Sequence, residues 1–260
     1  LSILQRRFAS SLYALIKSLE RRKSKLEQLI NSDKDVVENE VDIDLESLED
    51  YSEQERWKIE ENWEKLTLAE NRLDLQEEVN KIQELINYAK KIIEQEEELK
   101  VKKLKETLTN ILTNPDNIQK KVLIFTESKD TMTYLEDKIR RWGYSVNTIH
   151  GGMNLQERVN AERVFKNETQ VMVATEAAGE GINLQFCNLM INYDIPWNPN
   201  RLEQRMGRIH RYGQTKEVYV YNLVARDNRE GEVLNRLFQK LEEIKNALGS
   251  DKVFDVIGEI

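Results

Sequence analysis

One cysteine, Cys187, stands in the 260 residues, so no disulfide closes within the chain and no cysteine-built zinc site forms from it alone. That favours a reducing compartment, the cytosol. Three prolines and ten glycines leave long stretches without a helix stop. No apolar run approaches the roughly 18 residues that span a bilayer, and no signal-peptide pattern opens the chain, so no membrane role is expected. The chain begins with Leu1 rather than Met, and it is expected to be a piece of a longer protein.

What is present is unevenly spread. The net charge is −8, yet residues 1–118 hold 19 Lys and Arg against 27 Asp and Glu, while 119–260 hold 20 of each. All the excess acid lies in the first half. An anionic partner would therefore be met by a local basic face in the second half, not by bulk charge.

Residues 1–118 read as a helical arm or insertion. Phe8, Leu12, Leu15, Leu19, Leu26 and Leu29 form an apolar stripe over residues 1–30, opposite Arg21, Arg22, Lys23 and Lys25. Residues 31–50 carry nine carboxylates against Lys34 and read as a solvated acidic linker. From about Ser52 to Leu112 the helical period returns. Leu75, Val79, Ile82, Ile86, Ala89 and Ile93 make a short run of coiled-coil heptads, whose register falters at Glu96. One long helix, broken near Thr67, is expected to return against the first as a helical hairpin or small bundle, because neither buries its stripe alone. Asn114-Pro115-Asp116 ends it.

Residues 119–260 change period. Strands are expected at Val122–Thr126, Ser145–Ile149, Val171–Thr175, Leu189–Tyr193 and Val218–Val224. Helices are expected over Asp130–Trp142, closed by Gly143, over Leu155–Phe165, and after Pro199 and Glu230. Such alternation implies an α/β fold, a parallel sheet with helices on both faces. Ligands of such sheets gather at the carboxyl ends of the strands. The unusual clusters fall there: Thr126-Glu127-Ser128, His150-Gly151-Gly152, the run Ala174 to Leu184 around Gly179, Glu180 and Gly181, and Tyr193-Asp194-Ile195-Pro196-Trp197-Asn198-Pro199. Paired glycines let a phosphate approach the backbone closely. Last comes RLEQRMGRIHRYGQ, residues 201–214, with Arg201, Arg205, Arg208 and Arg211 in eleven residues. A helix turns Gln204, Arg208 and Arg211 to one face, where two guanidiniums suit a phosphate chain.

Taken together, VLIFTES, HGG, VMVATEAAGEGINLQ, NYDIPWNP and QRMGRIHRYGQ, in this order, resemble the motifs of the second RecA-like lobe of superfamily 2 helicases. The W-N-P and R-x-x-R-x-G-Q endings resemble the Swi/Snf-type branch of DNA translocases, and its bacterial and archaeal members above all. LSILQRRFASS at the start resembles the helix that enters this lobe. The resemblance implies that Arg208 and Arg211 are arginine fingers, with Gln204 linking nucleotide and cleft. It implies that Gly179, Glu180 and Gly181 face the ribose. Thr126, Ser128, His150, Gly151 and Thr175 would hold the phosphates of a tracked strand, while Asp194 and Trp197 couple the two surfaces. It further implies a prokaryotic cytoplasmic protein acting on double-stranded DNA.

The chain has no G-x-x-x-x-G-K-[ST] and no D-E-x-H. ATP and Mg²⁺ would therefore be held mainly by a missing N-terminal RecA-like lobe of the same protein, and this piece alone is expected to be inactive. Two alternatives stand beside the DNA translocase. One is an inactive scaffold whose helical arm docks a protein partner; the other is an RNA helicase lobe.

Overall fold

The computed structural model describes residues 2–31, 51–63, 72–95, 97–114, 121–176, 182–196, 199–209 and 217–224. The chain divides into two compact units, Leu1–Leu99 and Lys100–Ile260.

In the first unit, the helix expected over residues 1–30 is interrupted at Ser11, giving α1 (Ser2–Ser10) and α2 (Leu12–Asn31). The Ser11 hydroxyl accepts from the Ala14 amide at 3.0 Å, so the serine caps the second piece. Phe8, counted in the expected stripe, is exposed. Beyond α3 (Glu53–Trp63), α4 (Arg72–Gln95) returns along α2. Leu12, Ile16, Leu19 and Leu26 pack on Leu75, Val79, Ile82, Ile86 and Ala89, the expected pairing of two stripes. Bonds of Lys90 to Glu20 and of Lys23 to Gln83 show the two helices antiparallel. Two members of the basic cluster on α2 are engaged within this unit: Arg22 pairs with Glu78 and lies over the Trp63 ring, and Lys23 bonds Gln83. The proposed break near Thr67 lies outside the described residues; the faltering register at Glu96 coincides with the end of α4.

The second unit holds α5 (Leu99–Leu112 in its full extent) and five strands: β1 (Val122–Phe125), β2 (Val146–Ile149), β3 (Val171–Ala174), β4 (Leu189–Asn192) and β5 (Tyr219–Asn222). Their order is β2-β3-β1-β4-β5, and every described pairing is parallel. The connecting helices are α6 (Lys129–Arg141), α7 (Leu155–Asn167) and α8 (Pro199–Ile209). The step β1→β2 moves one way along the sheet, and β2→β3→β4→β5 moves the other. Right-handed crossovers then put α6 on one face, and α7 and α8 on the opposite one. Burial agrees: Ala161 and Phe165 of α7 and Ile209 of α8 share a core with Leu123, Phe125, Met172, Ala174 and Met190. The alternate residues Val122, Ile124, Val171, Val173, Leu189 and Ile191 are buried on the other face. The expected RecA-like parallel sheet with helices on both faces is met.

Local chemistry sets the helix ends. Gly143, at φ +92°, lets Tyr144 N–H reach the Ile139 carbonyl at 3.3 Å and its own N–H reach Arg140 at 3.1 Å, closing α6. Asn154 and Glu157 exchange the two bonds of a capping box that opens α7. The helix expected after Glu230 lies outside the described residues.

Candidate functional site

The carboxyl ends of β1, β3 and β4 meet in a buried polar network. The Thr126 hydroxyl, just past β1, donates to Asp194 Oδ2 at 2.6 Å, and the Glu127 amide donates to Asp194 Oδ1 at 2.8 Å. Burial pushes the Asp194 carboxyl up from its ordinary 3.8; Arg205 pulls it back most, with the Thr126 hydroxyl helping. Thr126 is fully buried, so a phosphate contact from it would require its hydroxyl to leave Asp194.

Into this network α8 sends two arginines of its series, Arg205 and Arg201. Arg205 is 2% exposed and shares a buried stripe with Leu202 and Ile209. Its Nη1 donates to the Asp194 carbonyl at 2.8 Å and to Asn192 Oδ1 at 3.2 Å, and its Nη2 donates to Glu176 Oε1 at 3.3 Å. The Asp194 carboxylate lies 3.7 Å from Nη2. Arg201 bonds the other oxygen of Glu176. The accessible side of the same helix carries Gln204, exposed, and Arg208, half-buried.

At the neighbouring strand ends the donors are more modest. Ser128 caps α6, its Oγ accepting from the Thr131 amide at 3.4 Å. His150 Nδ1 accepts from the Gly152 amide at 3.1 Å, so the neutral ring carries its proton on Nε2. Burial lowers its pKa from 6.5, and Lys129 adds to the shift. The Gly152 amide is therefore turned back on His150, and the Gly151 carbonyl accepts from Arg158 at 3.1 Å. Thr175 is fully buried at the end of β3, and its hydroxyl has no hydrogen-bond partner among the described residues.

Gly179, Glu180, Gly181, Trp197 and Arg211 lie outside the described residues. Thr126, Ser128, Thr175 and Asp194 are thus gathered at the carboxyl ends of the central strands, with His150 and Gly151 at the end of the adjacent β2, beside the helix that bears Gln204 and Arg208. Among the described residues no group of three or more His, Cys, Asp or Glu is placed to hold a metal ion, and no helix is long and apolar enough to cross a membrane.

The family model for the helicase conserved C-terminal domain matches residues 80–213, more than half of the chain. The chain belongs to that family. A Bacillus subtilis protein named as an uncharacterized ATP-dependent helicase, YqhH, is 46% identical over 132 residues, which are 51% of this chain and 24% of that protein. RNA polymerase-associated protein RapA of Vibrio cholerae is 36% identical over 124 residues, 46% of this chain and 13% of the relative. The matched part of this helicase domain thus spans a quarter or less of these relatives. A crystal structure of the C-terminal part of the Fun30 ATPase domain superposes with a TM-score of 0.48 at 24% identity, over 69% of this chain and 57% of the other. The family agrees with the superfamily 2 resemblance drawn from the motifs.

Sequence reasoning assigned no role to Glu176, Asn192, Arg201 or Arg205. A signal was available for Arg205. It falls three and four residues from Leu202 and Ile209, on the apolar side of α8, and a guanidinium on a buried stripe requires a carboxylate nearby.

Proposed function

We propose that this chain is the carboxyl-terminal lobe of an ATP-dependent double-stranded DNA translocase of the Swi/Snf-type branch. The division of α8 carries the reading. Arg205 is directed into the lobe, whereas Gln204 and the half-buried Arg208 lie on the accessible side, next to strand ends where parallel sheets meet ligands. On this reading Arg208 and Arg211 neutralise charge growing on the γ-phosphate of an ATP bound by another lobe. Gln204 links that nucleotide to the cleft, and Gly179, Glu180 and Gly181 face its ribose. The residues fit the phosphate end of ATP, since α8 offers a donor-rich face; Mg²⁺ is assigned to the other lobe. Ser128, His150, Gly151 and Thr175 grip the phosphates of the tracked strand, with Thr126 acting through Asp194. Asp194 and Trp197 couple grip and nucleotide. The name of the Vibrio relatives makes RNA polymerase the first partner to test for the helical unit.

In the natural protein, joined to a phosphate-binding lobe, Arg208→Ala is expected to cut DNA-stimulated ATP hydrolysis by about 10³-fold while ATP still binds. Hydrolysis at the wild-type rate would refute the finger assignment. The 260-residue chain alone is expected to turn over no ATP; turnover by a pure sample that Arg208→Ala abolishes would contradict this. Stimulation by duplex DNA over RNA across several salt concentrations separates the translocase from the RNA helicase reading.

A further inference from the structure

Glu176, Arg201, Arg205 and Asp194 are four charged side chains, each at most 13% exposed, where α8 crosses the ends of β3 and β4. Holding α8 down does not call for them. A third apolar residue beside Leu202 and Ile209 would seat the helix without the desolvation that buried charges suffer. What a guanidinium adds is direction, because its planar fork donates along fixed lines. Arg205 uses that fork on three acceptors at once: Glu176 from the end of β3, Asn192 from the end of β4, and the Asp194 carbonyl just beyond. Its face lies over the Phe125 ring, 5.3 Å from the centroid, which fixes the remaining tilt.

We propose that Arg205, clasped by Glu176, is a positioning residue that sets the reach of Arg208. The proposal rests on the reading of Arg208 as an arginine finger. Arg208 stands three residues beyond Arg205, less than one helical turn, so any rotation of α8 about its axis moves the finger directly. Glu176 is also the residue from which the segment carrying Gly179, Glu180 and Gly181 departs in sequence. One clasp therefore ties the root of the ribose-facing segment to the root of the finger. Arg201, bonded to the second oxygen of Glu176, keeps that carboxylate from turning away. Lysine at 205 would keep the charge but lose the fork, meeting these acceptors only as a point charge.

The test uses the natural protein with its phosphate-binding lobe and measures DNA-stimulated ATP hydrolysis. Wild type is compared with Arg205→Lys, Glu176→Gln, Arg208→Ala and the double variant Arg205→Lys/Arg208→Ala. Arg205→Lys is expected to lower kcat by about 10- to 100-fold with KM for ATP within about twofold, since ground-state binding does not depend on the finger. Glu176→Gln is expected to do the same to a smaller degree. The double variant is expected to be no slower than Arg208→Ala alone, because nothing remains to be positioned. Wild-type kcat in both Arg205→Lys and Glu176→Gln overturns the proposal. So does a double variant slower than Arg208→Ala by the full Arg205→Lys factor. Should Arg205→Lys fail to fold, Glu176→Gln, which keeps volume and one acceptor oxygen, decides by the same cycle. A wild-type rate in Arg208→Ala would bring down the finger reading and the clasp together; a slow Arg208→Ala beside fast Arg205→Lys and Glu176→Gln would bring down the clasp alone.

Discussion

The two compact units are both rich in charge, and they distribute it differently. In the helical unit, pairs such as Glu77–Lys81 and Lys17–Glu20 line accessible faces and add little to an association driven by the α2–α4 apolar stripes, while the more enclosed pair Arg7–Glu60 ties α1 to α3. In the sheet unit, Asp194, Glu176, Arg201 and Arg205 are enclosed together at the strand ends, where a low dielectric makes each bond matter and each loss costly. The helices keep much of their charge on accessible faces; under α8 four charged side chains meet at one point and specify a geometry. The candidate chemistry lies with the second kind.

That contrast can be broken by measurement, and the strongest lever is Asp194. Asp194→Ala removes the acceptor of Thr126 and one counter-charge of Arg205. It is expected to cost the sheet unit about 3 kcal/mol, the lower end for a broken buried pair, because Glu176 still faces the guanidinium. Hydrogen exchange followed unit by unit would read it, with the helical unit unmoved. A loss below about 1 kcal/mol would place Asp194 with the surface charges.

In the helical unit the sensitive residues should be apolar. Ile86→Val, at 2% exposure between α2 and α4, is expected to cost about 1 kcal/mol there, visible as faster exchange in α2 and α4 together. A smaller effect is expected from His150. Its folded pKa lies below the ordinary 6.5, so between these values the unfolded chain binds a proton that the folded one refuses. Its contribution is complete above 6.5 and is lost as pH falls toward the folded pKa. His150→Asn is expected to flatten that part of the stability profile, and an unchanged slope would exclude the ring as its source. The smallest change is expected from Lys81→Ala, on the exposed face of α4, which should leave the melting temperature where it is. A drop of several degrees would show that surface pairs matter in the helices after all.

Much of this was legible beforehand. Short apolar runs located the strands, the 3.6 period located the α2–α4 pairing, and Gly143 marked the end of α6, because each is a local consequence of side-chain burial or backbone freedom. The break at Ser11 was not visible, since a serine within an apolar stripe reads equally as a solvent-facing residue or as a cap. Nor does periodicity tell which core a stripe meets. Leu104 and Leu108 of α5 lie in the sheet unit, where Lys105 lies over Trp142 and the Tyr144 hydroxyl donates to Thr109 at 3.3 Å. At the candidate site, motif order singled out segments that the fold brings together, but the pairings inside them needed coordinates. Thr126 is the example: its hydroxyl points to Asp194, 68 residues away, a pairing no local pattern encodes.

In the proposed function, α8 presents Arg208 to a nucleotide held elsewhere. A structure of the natural protein with its phosphate-binding lobe, duplex DNA and a non-hydrolysable ATP analogue tests it most directly. The account predicts Arg208 and Arg211 within about 2.7–2.9 Å of γ-phosphate oxygens, with Arg205 still bound to Glu176. A closed complex in which Arg208 turns into its own lobe, away from the phosphates, would contradict it.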